Sequence, residues 1–193
     1  MCKLNHPSSS QRQQGFTLVE LLVVMAVVAV LASVAVPSLQ KFVTNRAVTA
    51  RADELASSLR LARSEALKRG GAVSVCASGS PQAANPACSG AADWAKGWLV
   101  FTDSNLNGAI DSAQGEQVLA THVPQASVKS LVAKDGAGVA RAFTGFHPNG
   151  IAAAGSAVFT IEPNISSSDS GYAAAHRRVE HNLQGRVQVL AGL

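Results

Sequence analysis

A long apolar segment near the amino terminus constrains this chain more than any other feature. Residues 16–36 read FTLVELLVVMAVVAVLASVAV and contain a single charged side chain, Glu20. As an α-helix this segment would be about 31 Å long, which matches the hydrocarbon core of a bilayer. A carboxylate at the centre of a membrane helix costs about 2.5–3.5 kcal/mol. Glu20 therefore needs either a partner or a position near the membrane boundary.

Two ordinary explanations of this segment are incomplete. A secretory signal peptide, with the small residues 33–35 as its cleavage site, would have a shorter apolar region without an acid. A plain transmembrane anchor explains the length of the segment but leaves Glu20 without a role.

The residues ahead of the segment favour a third explanation. The sequence GFTLVE, from Gly15 to Glu20, followed by the apolar run, resembles the class III signal of type IV pilins and type II secretion pseudopilins. The resemblance implies that prepilin peptidase cuts between Gly15 and Phe16 and that the new amino-terminal Phe16 is N-methylated. It also implies that Glu20 pairs with the amino terminus of a neighbouring pilin, which would neutralise its charge as a filament grows.

This explanation divides the chain into four segments. Residues 1–15 are a leader, whose two basic side chains would keep it cytoplasmic, and residues 16–36 are the transmembrane and filament-core helix. Residues 37–70 continue this helix with an apolar stripe, and residues 71–193 form a β-rich head. We expect a single-pass protein of the bacterial inner membrane with a periplasmic head, which then enters a pilus or pseudopilus.

The fold is predicted from two kinds of periodicity. The stripe repeats at steps of three and four residues, as on one face of a helix, and consists of Val48, Ala52, Leu55, Leu59, Ala62 and Ala66. Short β-like runs separated by Gly, Pro and Asn follow. They are residues 72–77, 97–102, 117–123, 128–133, 141–146, 157–162, 177–181 and 186–190. The predicted fold is α+β, a long amino-terminal helix packed on an antiparallel sheet, as in the type IV pilin roll.

The head resembles one branch of this superfamily. Trp94, the sequence GWLVFTDSNLNGAID at 97–111, FHPNG at 146–150 and Gly185-Arg186-Val187 are similar to the GspH/FimT group of minor pilins and pseudopilins. That resemblance implies an assembly subunit that primes or caps a filament and is not an enzyme. The sequence leaves open whether the filament is a type IV pilus or the pseudopilus of type II secretion.

The cysteines favour one disulfide bond. Cys2 lies in the leader, which leaves Cys76 and Cys88 in the processed chain. An even pair outside the cytosol predicts a bridge that closes a small loop, and two free buried thiols are the alternative. The spacing and the absence of paired histidines nearby do not fit a zinc site.

One loop of the head matches the start of a calcium-binding loop. Asp103, Asn105, Asn107 and Asp111 follow the D-x-N-x-N-G pattern, in which side-chain oxygens converge on one ion. The twelfth position is Gln114 rather than the expected Glu. The alternative is a polar hairpin turn, because Asn-Gly and Asp are turn residues in any case. No cofactor other than this calcium ion is expected.

The carboxyl end is locally basic, and this suggests DNA as a partner. FimT-type minor pilins capture DNA in natural transformation through a tail with a G-R-x-R motif, which this chain matches at Gly185-Arg186 but not at Gln188. The candidate DNA-binding residues are Arg177, Arg178 and Arg186, since phosphate contacts need positive charge. The alternative is a solvated strand face. The overall formal charge of +4 is mild for a nucleic-acid-binding protein.

The chain lacks the common sequence signatures of catalysis. It contains no G-x-S-x-G elbow, phosphate-binding loop or metalloprotease motif. His176 and His181 are one residue too far apart for the H-x-x-E-H zinc pattern. Four of the large aromatic residues of the head are predicted to be core residues; they are Trp94, Trp98, Phe101 and Phe143.

Overall fold

The structure is a computed structural model that describes residues 15–168 and 171–192, without the side chain at position 37. The predicted leader, except Gly15, lies outside the described residues, and so does Cys2. The chain divides into two compact units, Met1–Gln40 and Lys41–Leu193.

In the first unit, helix α1 begins at Leu18, two residues beyond the predicted cleavage point. The helix spans Leu18–Arg69, and Thr17 caps its amino terminus because its Oγ1 accepts the backbone N–H of Glu20 at 3.2 Å. The apolar side chains of this unit are exposed, among them Phe16 at 85% and Leu22 at 61%. Of the helices in the described part of the chain, α1 is the one that is long and apolar enough to cross a membrane.

In the second unit, the rest of α1 contributes the predicted stripe to the core. All six stripe residues, from Val48 to Ala66, are fully buried. The helix ends at Arg69, and Gly70 follows with a φ of +64°, the left-handed conformation that commonly terminates helices.

Eight strands follow α1 and form two antiparallel sheets. They are β1 (Val73–Ala77), β2 (Trp98–Thr102), β3 (Val118–His122), β4 (Val128–Asp135), β5 (Phe143–Phe146), β6 (Ala157–Pro163), β7 (Arg177–His181) and β8 (Val187–Ala191). The first sheet has the order β3-β2-β1-β5 and the second β4-β6-β7-β8. The sequence predicted every one of these strands, whereas the short helix α2 (Tyr172–Ala175) was not predicted.

Two hydrophobic clusters hold the head together. The larger cluster lies between α1 and the two sheets, and Trp94, Trp98, Phe159 and Leu131 are fully buried in it. The smaller cluster lies on the other side of the first sheet. Side chains of β1 alternate between the two, because Val75 belongs to the larger cluster and Cys76 to the smaller one. The predicted α+β fold, a long helix packed on antiparallel sheets, is therefore confirmed.

Candidate functional site

The predicted processing point lies in exposed, non-helical chain. Gly15, Phe16 and Thr17 precede α1 and are exposed. A protease binds its substrate in an extended form, so a peptide bond ahead of a helix is easier to reach than one within it. Glu20 lies in the first turn of α1, where a negative charge also interacts favourably with the helix dipole.

The predicted disulfide bond is present between Cys76 and Cys88. Cys76 is buried in β1 and Cys88 packs against the same small cluster. Ser78 reinforces the loop, because its Oγ donates a hydrogen bond to the carbonyl oxygen of Ala87 at 2.8 Å. The bridge therefore holds the loop over the outer face of the first sheet.

The structure brings the four predicted calcium ligands into one loop, where they bond to the chain itself. Both carboxylate oxygens of the buried Asp103 accept backbone N–H bonds, from Asn107 and Gly108, at 3.1 Å. Oδ2 of Asp111 accepts the side-chain amides of Asn105 and Asn107 at 3.1 and 2.8 Å. In the structure, these hydrogen bonds hold the four residues in a turn. Calcium binding by the same residues stays a prediction.

Glu116 closes this loop, a role that the sequence did not reveal. Its Oε1 accepts the backbone N–H of Ser104 at 2.8 Å, and its Oε2 accepts that of Asp111 at 2.8 Å. In the described part of the chain, no three His, Cys, Asp or Glu side chains gather where they could hold a metal ion.

The three candidate DNA-binding arginines do not share one surface. Arg177 donates to the side-chain oxygen of Asn45 on α1 at 2.8 Å and to two backbone carbonyls. Arg178 points to the opposite side of β7, as adjacent strand residues do, and lies 3.7 Å from Glu180. Arg186 is exposed in the turn before β8.

The two histidines of this basic region are buried. His176 is 4% exposed and its Nδ1 bonds to the carbonyl oxygen of Tyr172. His181 is 2% exposed and bonds to Thr144 of β5, so it joins the two sheets. Burial lowers the pKa of His181, which disfavours its charged form. Neither histidine therefore adds to a basic surface.

A partly buried polar network that the sequence did not reveal joins α1 to the first sheet. Nδ1 of His122 at the end of β3 lies 2.7 Å from Oε1 of Glu54, and its Nε2 lies 3.0 Å from Oγ of Ser58. Trp98 donates its indole N–H to the same Ser58 oxygen at 2.9 Å. Arg51 lies over the Trp98 ring at 3.8 Å and donates to Glu54 at 2.7 Å.

This network has the residue types and order of a Ser-His-Glu triad, but its geometry is that of a structural clamp. Ser58 is 2% exposed, and its Oγ is engaged by Trp98, His122 and the backbone carbonyl of Glu54. Burial by itself would raise the pKa of Glu54, yet the hydrogen bonds from His122 and Arg51 outweigh it and keep that pKa below its ordinary value. The charged carboxylate is thus held at the contact between α1 and β3.

A second unpredicted contact explains the glycines of two head motifs. Nε of Arg63 on α1 donates to the carbonyl oxygen of Gly150 at 3.1 Å. A Cβ atom on Gly185 would lie 2.8 Å from the same Nε, and one on Gly150 would lie 3.2 Å from it. FHPNG and the Gly185-Arg186 turn therefore meet at one arginine of the helix.

Comparison with known proteins gives two family matches. The family described as type II transport protein GspH matches residues 51–185, and the prokaryotic N-terminal methylation motif matches residues 10–36.

Two solved structures share this fold. The type IV minor pilin FimU of Pseudomonas aeruginosa in space group P21 has a TM-score of 0.53 and 23% identity, and the match covers 77% of this chain and 92% of that one. In space group P65 the TM-score is 0.50 and the identity 24%, with coverages of 74% and 91%.

Proposed function

This chain belongs to the GspH family of type II transport proteins, and we propose that it acts as a minor pilin or pseudopilin, a structural subunit of a filament. One observation carries the proposal. The exposed apolar part of α1 contains a single acid, Glu20, and begins two residues after the Gly15–Phe16 junction, which lies within the methylation motif. Such a helix needs a bilayer or other subunits to cover it.

Processing would release residues 16–193 as the working subunit. Prepilin peptidase would remove residues 1–15 and leave 16–36 in the bacterial inner membrane, with 37–70 continuing the helix and 71–193 as a periplasmic head. Methylation of Phe16 would leave the amino group cationic.

Glu20 would favour the transfer of a subunit from the membrane into a filament. In a bilayer its carboxylate lacks a partner, and the cationic amine of Phe16 on a neighbouring subunit would neutralise it. A subunit would therefore leave the membrane more easily when it joins a filament than alone.

Intact-mass spectrometry tests the processing step. The full chain is expressed in cells that contain prepilin peptidase, and its membrane form is expected to start at Phe16 with one added methyl group. The variant Gly15→Leu should retain the leader and serves as the control. A wild-type chain that still starts at Met1, or that starts near residue 36, would contradict the proposal.

Within the filament, we propose that this subunit primes or caps assembly. Deleting it should then reduce the number of filaments per cell while the remaining filaments keep their length. Loss of surface pili would identify a type IV pilus, and retention of secreted proteins inside the cell would identify the type II secretion pseudopilus. Equal filament numbers with and without the chain would contradict a priming role.

DNA capture is the alternative role, and Arg186 is the residue that favours it. It is exposed and forms no ion pair within the described residues, whereas Arg177 is hydrogen-bonded to the chain and Arg178, on the other side of β7, lies beside Glu180. In a gel shift with duplex DNA, Arg186→Ala should then weaken binding more than Arg177→Ala or Arg178→Ala. No shift by the wild-type chain at low salt would exclude this role.

Calcium binding is tested separately by titration calorimetry. If residues 103–111 hold calcium, the wild-type chain releases or absorbs heat on titration and Asp111→Asn does not. The absence of heat with the wild-type chain would show that these residues form a hydrogen-bonded turn and do not bind calcium.

A further inference from the structure

We propose that the head has a docking cleft for another pilin subunit, and that the docked surface carries a carboxylate beside an apolar side chain. The cleft has a volume of about 360 Å³, and its lining includes Arg60, Arg63, Leu67, Gly185, Arg186 and Val187. This inference rests on the proposed function, because it identifies the part of the head that contacts a neighbouring subunit.

The fold assembles this cleft from two elements that are far apart in sequence. Arg60, Arg63 and Leu67 lie on one face of α1, because they are three and four residues apart. Arg186 comes from the turn between β7 and β8, where Gly185 lies against Arg63. Three arginine residues therefore line one cavity.

Among the described residues, the arginines of the cleft form no ion pair. Arg63 donates to the carbonyl oxygen of Gly150 at 3.1 Å, and Arg60 donates to that of Val187 at 3.4 Å. These neutral acceptors fix the two side chains but do not cancel their charge. In the part of the chain that the structure describes, no carboxylate pairs with Arg60, Arg63 or Arg186. The planar guanidinium group is suited to a carboxylate, which it can bind through two hydrogen bonds.

An apolar rim adjoins the cleft. The rim consists of Leu67 of α1, which lines the cleft, and of Ile151 and Leu183 of the head; these residues are 51%, 45% and 55% exposed. Leu67 lies close to Gly150, and the backbone N–H of Ala152 bonds to the carbonyl oxygen of Leu183 at 2.9 Å. Ile151 follows Gly150 directly, and Leu183 lies two residues before Gly185. Both are therefore near the point where Arg63 meets the two glycines.

The combination of rim and cleft favours a protein over a nucleic acid. Arginine is enriched in protein–protein interfaces, and the contacts that surround such a residue exclude water from it. Exposed aliphatic side chains around the arginines could exclude water in this way. Nucleic-acid backbones are bound mainly through charge and gain little from an aliphatic rim. The occupant that fits is a pilin subunit with Asp or Glu beside an apolar side chain.

Binding between full-length subunits tests this proposal. The processed chain in detergent micelles is titrated by microscale thermophoresis with each pilin-like subunit encoded beside it. The wild-type chain should bind one of them, and R60E/R186E should weaken that binding at least tenfold. K96E/K134E changes the same total charge elsewhere on the head and should bind as the wild type does. Leu183→Ser should weaken binding several-fold without any change of charge.

Two further measurements keep the result decisive. The unfolding midpoint of each variant shows whether it folds; if R60E/R186E is unstable, Arg186→Glu alone replaces it, because the Arg186 side chain makes no hydrogen bond within the described residues. A DNA duplex is titrated in the same assay. Three results would overturn the proposed docking cleft. The wild-type chain binds no subunit, R60E/R186E binds a subunit as the wild type does, or the substitutions weaken only the binding of DNA. A chain that starts at methylated Phe16 and enters filaments despite such a result would leave the proposed function intact.

Discussion

Gly185 and Gly150 lie so close together that a Cβ atom on Gly185 would overlap the carbonyl oxygen of Gly150. That oxygen already accepts the hydrogen bond from Arg63 of α1. Gly185 also has a φ of +73°, a conformation that other residues adopt at a cost. The glycine of the Gly185-Arg186 turn thus has a structural role besides any role of the arginine.

Gly185→Ala should destabilise the head more than the same change at a comparable glycine. Gly155 has a φ of +85° and nothing within 4 Å of its added Cβ, so Gly155→Ala isolates the conformational cost, about 1–2 kcal/mol. Gly185→Ala must also displace a backbone carbonyl, and we expect a total loss of about 3–4 kcal/mol. Urea unfolding of the two variants checks this, and equal losses would contradict the close packing.

Ser58→Ala should lower the free energy of unfolding by about 1–3 kcal/mol. The change leaves the indole N–H of the buried Trp98 without its acceptor and removes one partner of His122. The adjacent Ser57 is exposed, so Ser57→Ala should stay within about 0.5 kcal/mol of the wild type. Thermal unfolding measures both, and similar midpoints for the two variants would show that the network does not stabilise the head.

The stability of the head should fall in acid partly through Glu162. Hydrogen bonds from Tyr172, Lys129 and Ser130 lower the pKa of Glu162 to about 2. Because the folded-state pKa lies below the unfolded value of about 4.3, this stabilisation is complete above the unfolded pKa. It is lost as the pH falls through about 2. Urea unfolding between these pH values measures the free energy of unfolding. Its pH dependence should be smaller for Glu162→Gln than for the wild type, and intermediate for Tyr172→Phe. A slope unchanged in Glu162→Gln would contradict this role.

Reduction of the Cys76–Cys88 bridge should destabilise the head by about 3 kcal/mol, if the bridge acts by constraining the unfolded chain. The two cysteines are 12 residues apart, so the closed loop is short. The unfolding midpoint with and without a thiol reductant measures the effect, and C76S/C88S controls for other effects of the reductant. An unchanged midpoint would show that the bridge only shapes the loop.

Local sequence patterns were sufficient to predict α1 and the eight strands, but not the short helix α2. The spacing of Val48, Ala52 and Leu55 predicted the buried face of α1, and the predicted segment 37–70 ends within one residue of the helix. Turn residues between apolar runs predicted where each strand lies. The patterns could not predict that the strands form two sheets, because hydrogen bonding between β5 and β1 joins segments separated by three other strands.

The contacts between distant segments could not be predicted from the sequence for a similar reason. His122 and Glu54 are 68 residues apart, and nothing in either local sequence links them. The separation of Arg177 and Arg178 could, in contrast, be predicted from the local sequence, because adjacent strand residues face opposite sides of a sheet. That alternation is a property of the local sequence, and it is enough to place these two arginines on different faces of β7.

The recovery of the chain in sheared filaments tests the central claim most directly. The wild-type chain should be found both in the membrane and in the sheared filament fraction. Glu20→Gln should remain in the membrane, correctly processed, and be lost from the filaments, because it cannot pair with the amine of a neighbouring Phe16. Asp53→Asn removes another exposed carboxylate of α1 and should enter filaments normally. A wild-type chain that is absent from every filament fraction, or a Glu20→Gln chain that enters filaments as the wild type does, would contradict the account.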